Sequence, residues 1–356
     1  MADTIDEATI RLSPSGKEVE CRAGETVLGA LERAGYALPN NCRAGACGEC
    51  RTKVLRGEID QGVVLDMALS SADRADGYGP MCMAKPMSDV LEIELGTADA
   101  RPKLFAPREG VSFVVTDLLT RTERILEVRL RPLGENLRYW PGQYVMLGDE
   151  PAGVPARPYS IANAPRPDGE IHLLVARVPG GVTSGWLHDG IDVGRRVRLS
   201  GPYGTFVGDP ATDTPVLCLA AGSGLAPILA LADAALRRGF AHPVTLLFSA
   251  RGADDVFDQG LISWWTMRHR RFSFLPTYTG TDVPDDARLT GRVPDVLATV
   301  VDDLRSTSVF IAGSPEFVHD CPAAAVALGA VDELIHTESY HPQAVGEAPP
   351  EERLAG

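Results

Sequence analysis

At 356 residues, with 44% hydrophobic and 23% charged side chains, the chain has a soluble-globular composition and is too long for one ordinary core. A formal net charge of −14 argues against nucleic acid or an anionic membrane surface as the main partner. No apolar run reaches membrane-spanning length, and Met1–Ile10 lacks the basic-then-apolar order of an export signal, so a cytoplasmic, reducing location is expected.

The first hundred residues predict a small mixed unit. Thr9–Leu12 and Glu18–Cys21 read as strands joined by the turn Pro14-Ser15-Gly16. Thr26 is placed to cap a helix running to Gly35, with Val27, Leu28, Leu31 and Ala34 on its apolar face. A loop rich in glycine and cysteine follows, then strands Thr52–Leu55 and Val90–Leu95. From Val111 to Gly208 the pattern is all strand, separated by Pro/Gly turns, which favours an antiparallel β-barrel. After Pro210, apolar runs alternate with helical stretches at Leu225–Arg238 and Val293–Leu304, the rhythm of a parallel α/β sheet. The expected boundaries are 1–98, a linker at 99–110, 111–208, 209–342, and a disordered tail at 343–356.

Seven cysteines are present, and four lie between residues 42 and 82. Clustering of this kind points to metal rather than to disulfides. Cys42, Cys47 and Cys50 have C-x4-C-x2-C spacing, with Cys82 further on, which is the plant-type [2Fe–2S] pattern. Three thiolates on one loop must wrap a compact anionic cluster, so the backbone has to curl and aim N–H groups at sulfur. Ala44, Gly45, Ala46 and Gly48 permit that curl. A four-cysteine zinc site is the alternative, although structural zinc usually takes two short knuckles. Cys21, Cys218 and Cys321 read as buried hydrophobes.

The run GETVLGALERAGYALPNNCRAGACGECRTKVLRG closely resembles the plant-type ferredoxin domains of bacterial oxygenase reductases, such as those of benzoate and carbazole dioxygenases. That resemblance implies a β-grasp fold, with Cys82 as fourth ligand. Arg157-Pro158-Tyr159-Ser160 resembles the R-x-Y-S motif of the ferredoxin–NADP reductase superfamily. Arg suits a phosphate, Tyr a flat ring face, and Ser the reactive edge of a flavin. Alone, such a group is often an ordinary surface pair. Here Trp140-Pro-Gly-Gln-Tyr144 precedes it, and Gly201-Pro-Tyr-Gly-Thr-Phe206 matches the family's pattern at the barrel exit. Between them Pro179-Gly-Gly-Val-Thr-Ser184 offers donors to a pyrophosphate. The flavin set is therefore Arg157, Pro158, Tyr159, Ser160, Val175, Gly181, Val182, Thr183 and Ser184. FAD is expected, with FMN as the alternative.

Strand Val216–Ala220 runs into a glycine turn, Gly222-Ser223-Gly224, and then a helix, which puts backbone donors where phosphate binds. Pro227 makes this G-x-G-x-x-P, the superfamily's variant of the dinucleotide turn. Phe310-Ile-Ala-Gly-Ser-Pro-Glu-Phe317 resembles the family's later turn and adds Gly313 and Ser314 to the cofactor set. Ala312 stands where relatives carry a cysteine, so no catalytic thiol is assigned, and Cys321 falls on the following helix. His336-Thr-Glu-Ser-Tyr340 resembles the closing E-x-[FY] segment, which would bring Glu338 and Tyr340 near the flavin and nicotinamide rings and, with Ser160, make them the catalytic residues. The bland alternative is a terminal strand with a solvated Glu. Asp254 and Asp255 favour the free ribose of NADH, whereas Arg251 is the residue that a 2′-phosphate would use.

The resemblance implies an NADH-dependent reductase that passes electrons through FAD and the cluster to an oxygenase of a bacterial aromatic-ring system. The same chemistry serving a diiron monooxygenase or a deoxysugar dehydrase is one alternative. A zinc-bearing, nucleotide-binding redox sensor is a distant second.

Overall fold

The computed structural model describes residues 7–40, 42–66, 68–96, 104–208, 213–237, 239 and 241–340. The first unit contains β1 (Glu7–Ser13), β2 (Lys17–Arg22), α1 (Val27–Arg33), β3 (Arg51–Arg56), β4 (Ile59–Asp60), α2 (Ser71–Ala75), β5 (Tyr78–Pro80), β6 (Lys85–Pro86) and β7 (Val90–Glu94). Its main sheet has the order β2-β1-β7-β3-β5, with β1 and β7 parallel in the centre. Alternation in β1 turns Ala8, Ile10 and Leu12 inward, and α1 lays Val27, Leu28, Ala30 and Leu31 over them. Thr26 caps α1 by accepting the Gly29 N–H at 3.2 Å. Each of the buried Val, Leu and Ile side chains among these contributes about 1.5–3 kcal/mol. This is the expected β-grasp.

The second unit contains β8 (Arg108–Thr120), β9 (Ile125–Pro132), β10 (Tyr144–Asp149), β11 (Val154–Ser160), β12 (Ile171–Ala176), α3 (Val182–Asp189) and β13 (Arg196–Tyr203). All its pairings are antiparallel, in the order β11-β10-β13-β8-β9-β12, and an Ile161–Leu173 bridge brings the two ends together as a barrel. Two expectations change here. The stretch read as all strand contains α3, whose eight residues, Gly185 among them, are too few to show a helical period. The first barrel strand also begins at Arg108, inside the expected linker, because its polar start pairs with β13.

The rest of that linker is partly tied down. Leu104 N–H donates to the Gly35 carbonyl at 3.1 Å, and Phe105 stacks on Trp140 at 5.5 Å. Residues 99–103 and the expected tail at 343–356 lie outside the described residues.

The third unit contains β14 (Val216–Ala221), α4 (Leu225–Arg237), β15 (Val244–Ala250), α5 (Gln259–Arg268), β16 (Phe272–Tyr278), β17 (Leu289–Thr290), α6 (Val293–Val300), β18 (Ser308–Gly313), α7 (Pro315–Ala327) and β19 (Ile335–Ser339). Its sheet, β17-β16-β15-β14-β18-β19, is parallel throughout. Both faces are covered, so β18 is buried along its whole length. The helix expected to reach Leu304 stops at Val300, since Val301 is extended and β-branched and two aspartates follow. One core cluster runs from Ile125, Leu174 and Phe206 of the barrel into α4 and β14–β16, so the second and third units share apolar packing.

Candidate active site

The cysteine loop is shaped by its glycines. Gly45 has φ +66°, and a Cβ there would lie 2.8 Å from the Val63 carbonyl oxygen, so no other residue fits without moving the chain. Leu65 N–H donates to the Gly45 carbonyl at 3.1 Å, which closes a second strand of chain over the loop. The amides of Ala44 and Ala46 point at Cys42 Sγ, at 3.4 and 3.3 Å, and the Cys82 amide points at Cys50 Sγ at 3.4 Å. The four thiols are hydrogen-bonded two and two, Cys42 with Cys47 and Cys50 with Cys82. Those thiol hydrogen bonds, helped by backbone N–H groups, pull Cys42 and Cys82 below the ordinary thiol range. Among the described residues no three His, Cys, Asp or Glu side chains converge on a single ion position. Two pairs of thiolates with amides aimed at sulfur are the donor set that a two-iron cluster takes.

Beside this loop lies a cavity of about 890 Å³. Its wall brings Arg157, Pro158, Tyr159 and Ser160 together with Gly181 to Ser184, with Gly222 and Ser223, and with Arg251, Ser314 and Tyr340. Cys42 lines the same cavity, so the cluster loop and the expected flavin motif face one space. The Pro179–Ser184 turn is the entry to α3. Gly181 caps that helix with no side-chain bond, which leaves its first N–H groups and the positive end of its dipole toward the cavity. The hydroxyls are already engaged, Thr183 donating to Pro155 O at 2.6 Å and Ser184 accepting from Val178 N at 3.2 Å. The amides, not the hydroxyls, are therefore the donors left for a pyrophosphate.

Three of the expected residues stand elsewhere. Val175 is fully buried in the barrel core, and strand alternation gives the cavity its neighbours Leu174 and Ala176 instead. Gly224 packs against β18, where a Cβ would lie 2.2 Å from the Ala312 carbonyl oxygen. Gly313 is covered by the Phe317 ring. Both glycines permit close packing and do not face the cavity. Thr122, Arg124 and Arg177 also line it, and only their basic or hydroxylic character marked them in the sequence.

Ser160, Glu338 and Tyr340 form a closed buried triangle although 178 residues separate the first pair. Ser160 Oγ donates to Glu338 Oε2 at 3.1 Å, and Tyr340 OH reaches Ser160 Oγ at 3.0 Å and Glu338 Oε2 at 3.2 Å. Glu338 is thus no solvated strand residue. Burial pushes its carboxyl up to about 7, against the two hydroxyl hydrogen bonds. Burial likewise lifts the Tyr340 phenol well above its ordinary value. Glu338 does not line the cavity and touches it only through Ser160 and Tyr340. On the wall built by the third unit, Arg251 Nε pairs with Asp255 Oδ2 at 3.1 Å, and both line the cavity.

Three family models match in this order: a 2Fe-2S iron-sulfur cluster binding domain over residues 10–87, an oxidoreductase FAD-binding domain over 112–207, and an oxidoreductase NAD-binding domain over 218–322. The chain is 36% identical to the reductase subunit of an aromatic O-demethylase from Amycolatopsis sp., covering 94% of this chain and 99% of that one. It is 28% identical, with 94% and 99% coverage, to the ferredoxin–NAD(P)+ reductase component of the naphthalene 1,2-dioxygenase/salicylate 5-hydroxylase systems of Ralstonia sp.. The crystal structure of an Amycolatopsis cytochrome P450 reductase superposes with a TM-score of 0.84 at 34% identity, over 94% of this chain and 99% of that one. A barrel that binds FAD, a sheet that binds NAD(P)H and a cluster-binding β-grasp define an iron–sulfur flavoprotein oxidoreductase. Within that class, the chain belongs to the ferredoxin–NAD(P) reductase superfamily, in its oxygenase-reductase branch with an N-terminal 2Fe-2S domain. No helix among the described residues is long and apolar enough to cross a membrane.

Proposed function

We propose that this protein is the NADH-dependent reductase component of a multicomponent oxygenase, with Cys42, Cys47, Cys50 and Cys82 as the cluster ligands. The observation that carries this reading is the presence of Cys42 in the wall of the cavity that holds Arg157–Ser160. When bound, the flavin supplies hydride acceptance and single-electron release, and the cluster supplies a one-electron relay. Arg157 and the α3 amides would hold the phosphates, and Tyr159 offers a ring face. Ser160 Oγ, fixed by Tyr340 and Glu338, orients the reacting edge, so the chemistry depends on placement more than on acid–base work. Burial raises the Glu338 carboxyl to about 7, so near neutral pH it passes between its protonated and ionised forms beside Ser160. Asp255 neutralises Arg251, and without a free cation there a 2′-phosphate gains little, which supports NADH over NADPH.

A second reading concerns the acceptor. Identity to the O-demethylase reductase, at 36%, exceeds that to the dioxygenase reductase, at 28%, and the structure that superposes at a TM-score of 0.84 is of a cytochrome P450 reductase, which together favour a cytochrome P450 as terminal oxygenase. The test is reconstitution of the purified protein and NADH with a P450 O-demethylase component and, separately, a ring-hydroxylating dioxygenase component. Product with the P450 alone supports the second reading, and product with the dioxygenase alone supports the aromatic-ring acceptor. Cytochrome c reduction without product in either would remove both of these acceptors. A chain that oxidises no NADH would remove the reductase itself.

A further inference from the structure

Arg43 follows the ligand Cys42 and stands in the left-handed region at φ +55°, which a residue with a side chain adopts only under constraint. This backbone turns the guanidinium away from solvent and across to the barrel. Its Cζ lies 4.1 Å above the Tyr203 ring centroid, and its Nη1 bonds buried Glu32 of α1 at 2.6 Å. Beside Glu32, Asn40 donates its Nδ2 to Leu38 O at 2.8 Å and accepts the Tyr144 hydroxyl on Oδ1 at 2.7 Å. Tyr144 packs on Tyr203 with centroids 5.8 Å apart. Arg43, Glu32, Asn40, Tyr144 and Tyr203 thus make a closed ring of contacts, three members from the β-grasp unit and two from the barrel.

A cation over an aromatic face is attractive without fixing one atom-to-atom geometry, whereas the Tyr144–Asn40 and Arg43–Glu32 bonds are directional. A half-buried ion pair adds little net stability and is better suited to specifying one arrangement. The arrangement specified here is the approach of Cys42 to the flavin cavity, because Cys42 is the residue next to Arg43 and itself lines that cavity.

We propose that Arg43 and Tyr203 form an interdomain latch that positions the cluster for electron transfer from the flavin, and that Arg43 is a positioning residue for that step. Each transfer moves one electron from reduced flavin to a ferric iron of the cluster and forms or breaks no covalent bond. The latch rests on the reading that the four cysteines hold the cluster. If it is released, the cluster loop samples longer distances and the transfer slows, while hydride delivery to the flavin is untouched.

The experiment uses the FAD- and cluster-loaded protein, mixed anaerobically with NADH in a stopped-flow instrument that resolves flavin from cluster bleaching. Tyr203→Leu is expected to slow cluster reduction on the order of tenfold to a hundredfold. Its iron content, the electron paramagnetic resonance signal of its reduced cluster, and its NADH–ferricyanide turnover should match the wild type. Tyr203→Phe, which keeps the ring face, is expected to restore the rate. Arg43→Gln is expected to slow the step similarly, and the double variant to be no slower than either single one. Wild-type rates in a loaded Tyr203→Leu protein, a Tyr203→Phe protein as slow as Tyr203→Leu, or effects that multiply in the double variant would each overturn the latch. If Tyr203→Leu fails to retain FAD, Arg43→Gln decides alone: slowed transfer supports the latch and an unchanged rate removes it. Wild-type protein lacking iron would instead overturn the cluster assignment, so the two failures are distinguishable.

Discussion

Three of the four thiols come from one short loop, Cys42 to Cys50, whereas the cavity beside them takes all of its wall except Cys42 from segments between Thr122 and Tyr340. The loop is a local structure held by left-handed glycine and by amides aimed at sulfur. The cavity is a tertiary structure in which one face is built by a barrel, another by a parallel sheet, and a corner by the last strand. The difference sets how each part fails. A local site is broken by one atom, while a distributed one loses affinity or shifts its pH response by degrees.

The sharpest way to separate the two is Cys47→Ser. Cluster-dependent cytochrome c reduction is expected to fall to background, with NADH–ferricyanide turnover retained, because the flavin cavity contains no atom of Cys47. Loss of both activities in a folded, flavin-loaded variant would contradict the separation. Next comes a pair of glycines. Gly45→Ala adds a 2.8 Å contact with the Val63 carbonyl oxygen to the left-handed strain of about 1–2 kcal/mol, so iron incorporation should collapse. Gly222→Ala, at φ +54° with nothing within 4 Å, meets the backbone strain alone, and the protein should still load FAD and iron. Equal iron loading in the two variants would remove the crowding explanation.

In the cavity the effects are graded. The Glu338 carboxyl is raised to about 7 from an ordinary 4.5, so its contribution to stability is complete below about 4.5 and is lost as pH rises through about 7. Glu338→Gln should therefore melt progressively higher than the wild type between pH 5 and 8. The gap should grow by up to about 3 kcal/mol. A gap that does not change with pH would refute the buried carboxyl. Arg157→Ala should weaken FAD retention on ultrafiltration by roughly tenfold to a hundredfold, the worth of a charge-assisted hydrogen bond, with iron content unchanged. Full retention would move the phosphate site away from Arg157. The smallest effect concerns the nucleotide. Asp255→Asn frees Arg251 and should raise the NADPH/NADH ratio of kcat/KM about fivefold, equivalent to ~1 kcal/mol at an exposed pair. An unchanged ratio would detach this pair from nucleotide choice.

Legibility in the sequence follows the same division. Cysteine spacing, the Thr26 cap and the strand–helix rhythm are short-range signals, and the β-grasp, the barrel and the parallel sheet appear where they were expected. The helix α3 was hidden because its eight residues, Gly185 among them, are too few to show a helical period. Val175, expected in the cofactor set, points into the barrel core, because strand alternation gives the cavity its neighbours Leu174 and Ala176. Beyond local reach altogether is the meeting of Arg43 with Tyr203, since the two sit in separate motifs and only the docking of two units brings them together.

The central claim is that cluster and flavin face each other within one chain. Single-turnover reduction by NADH, followed at several protein concentrations under anaerobic conditions, tests it most directly. Cluster bleaching that follows flavin bleaching at a rate independent of protein concentration is the predicted result. A rate that rises in proportion to concentration would mean that electrons pass between molecules, and the shared cavity would not be the route.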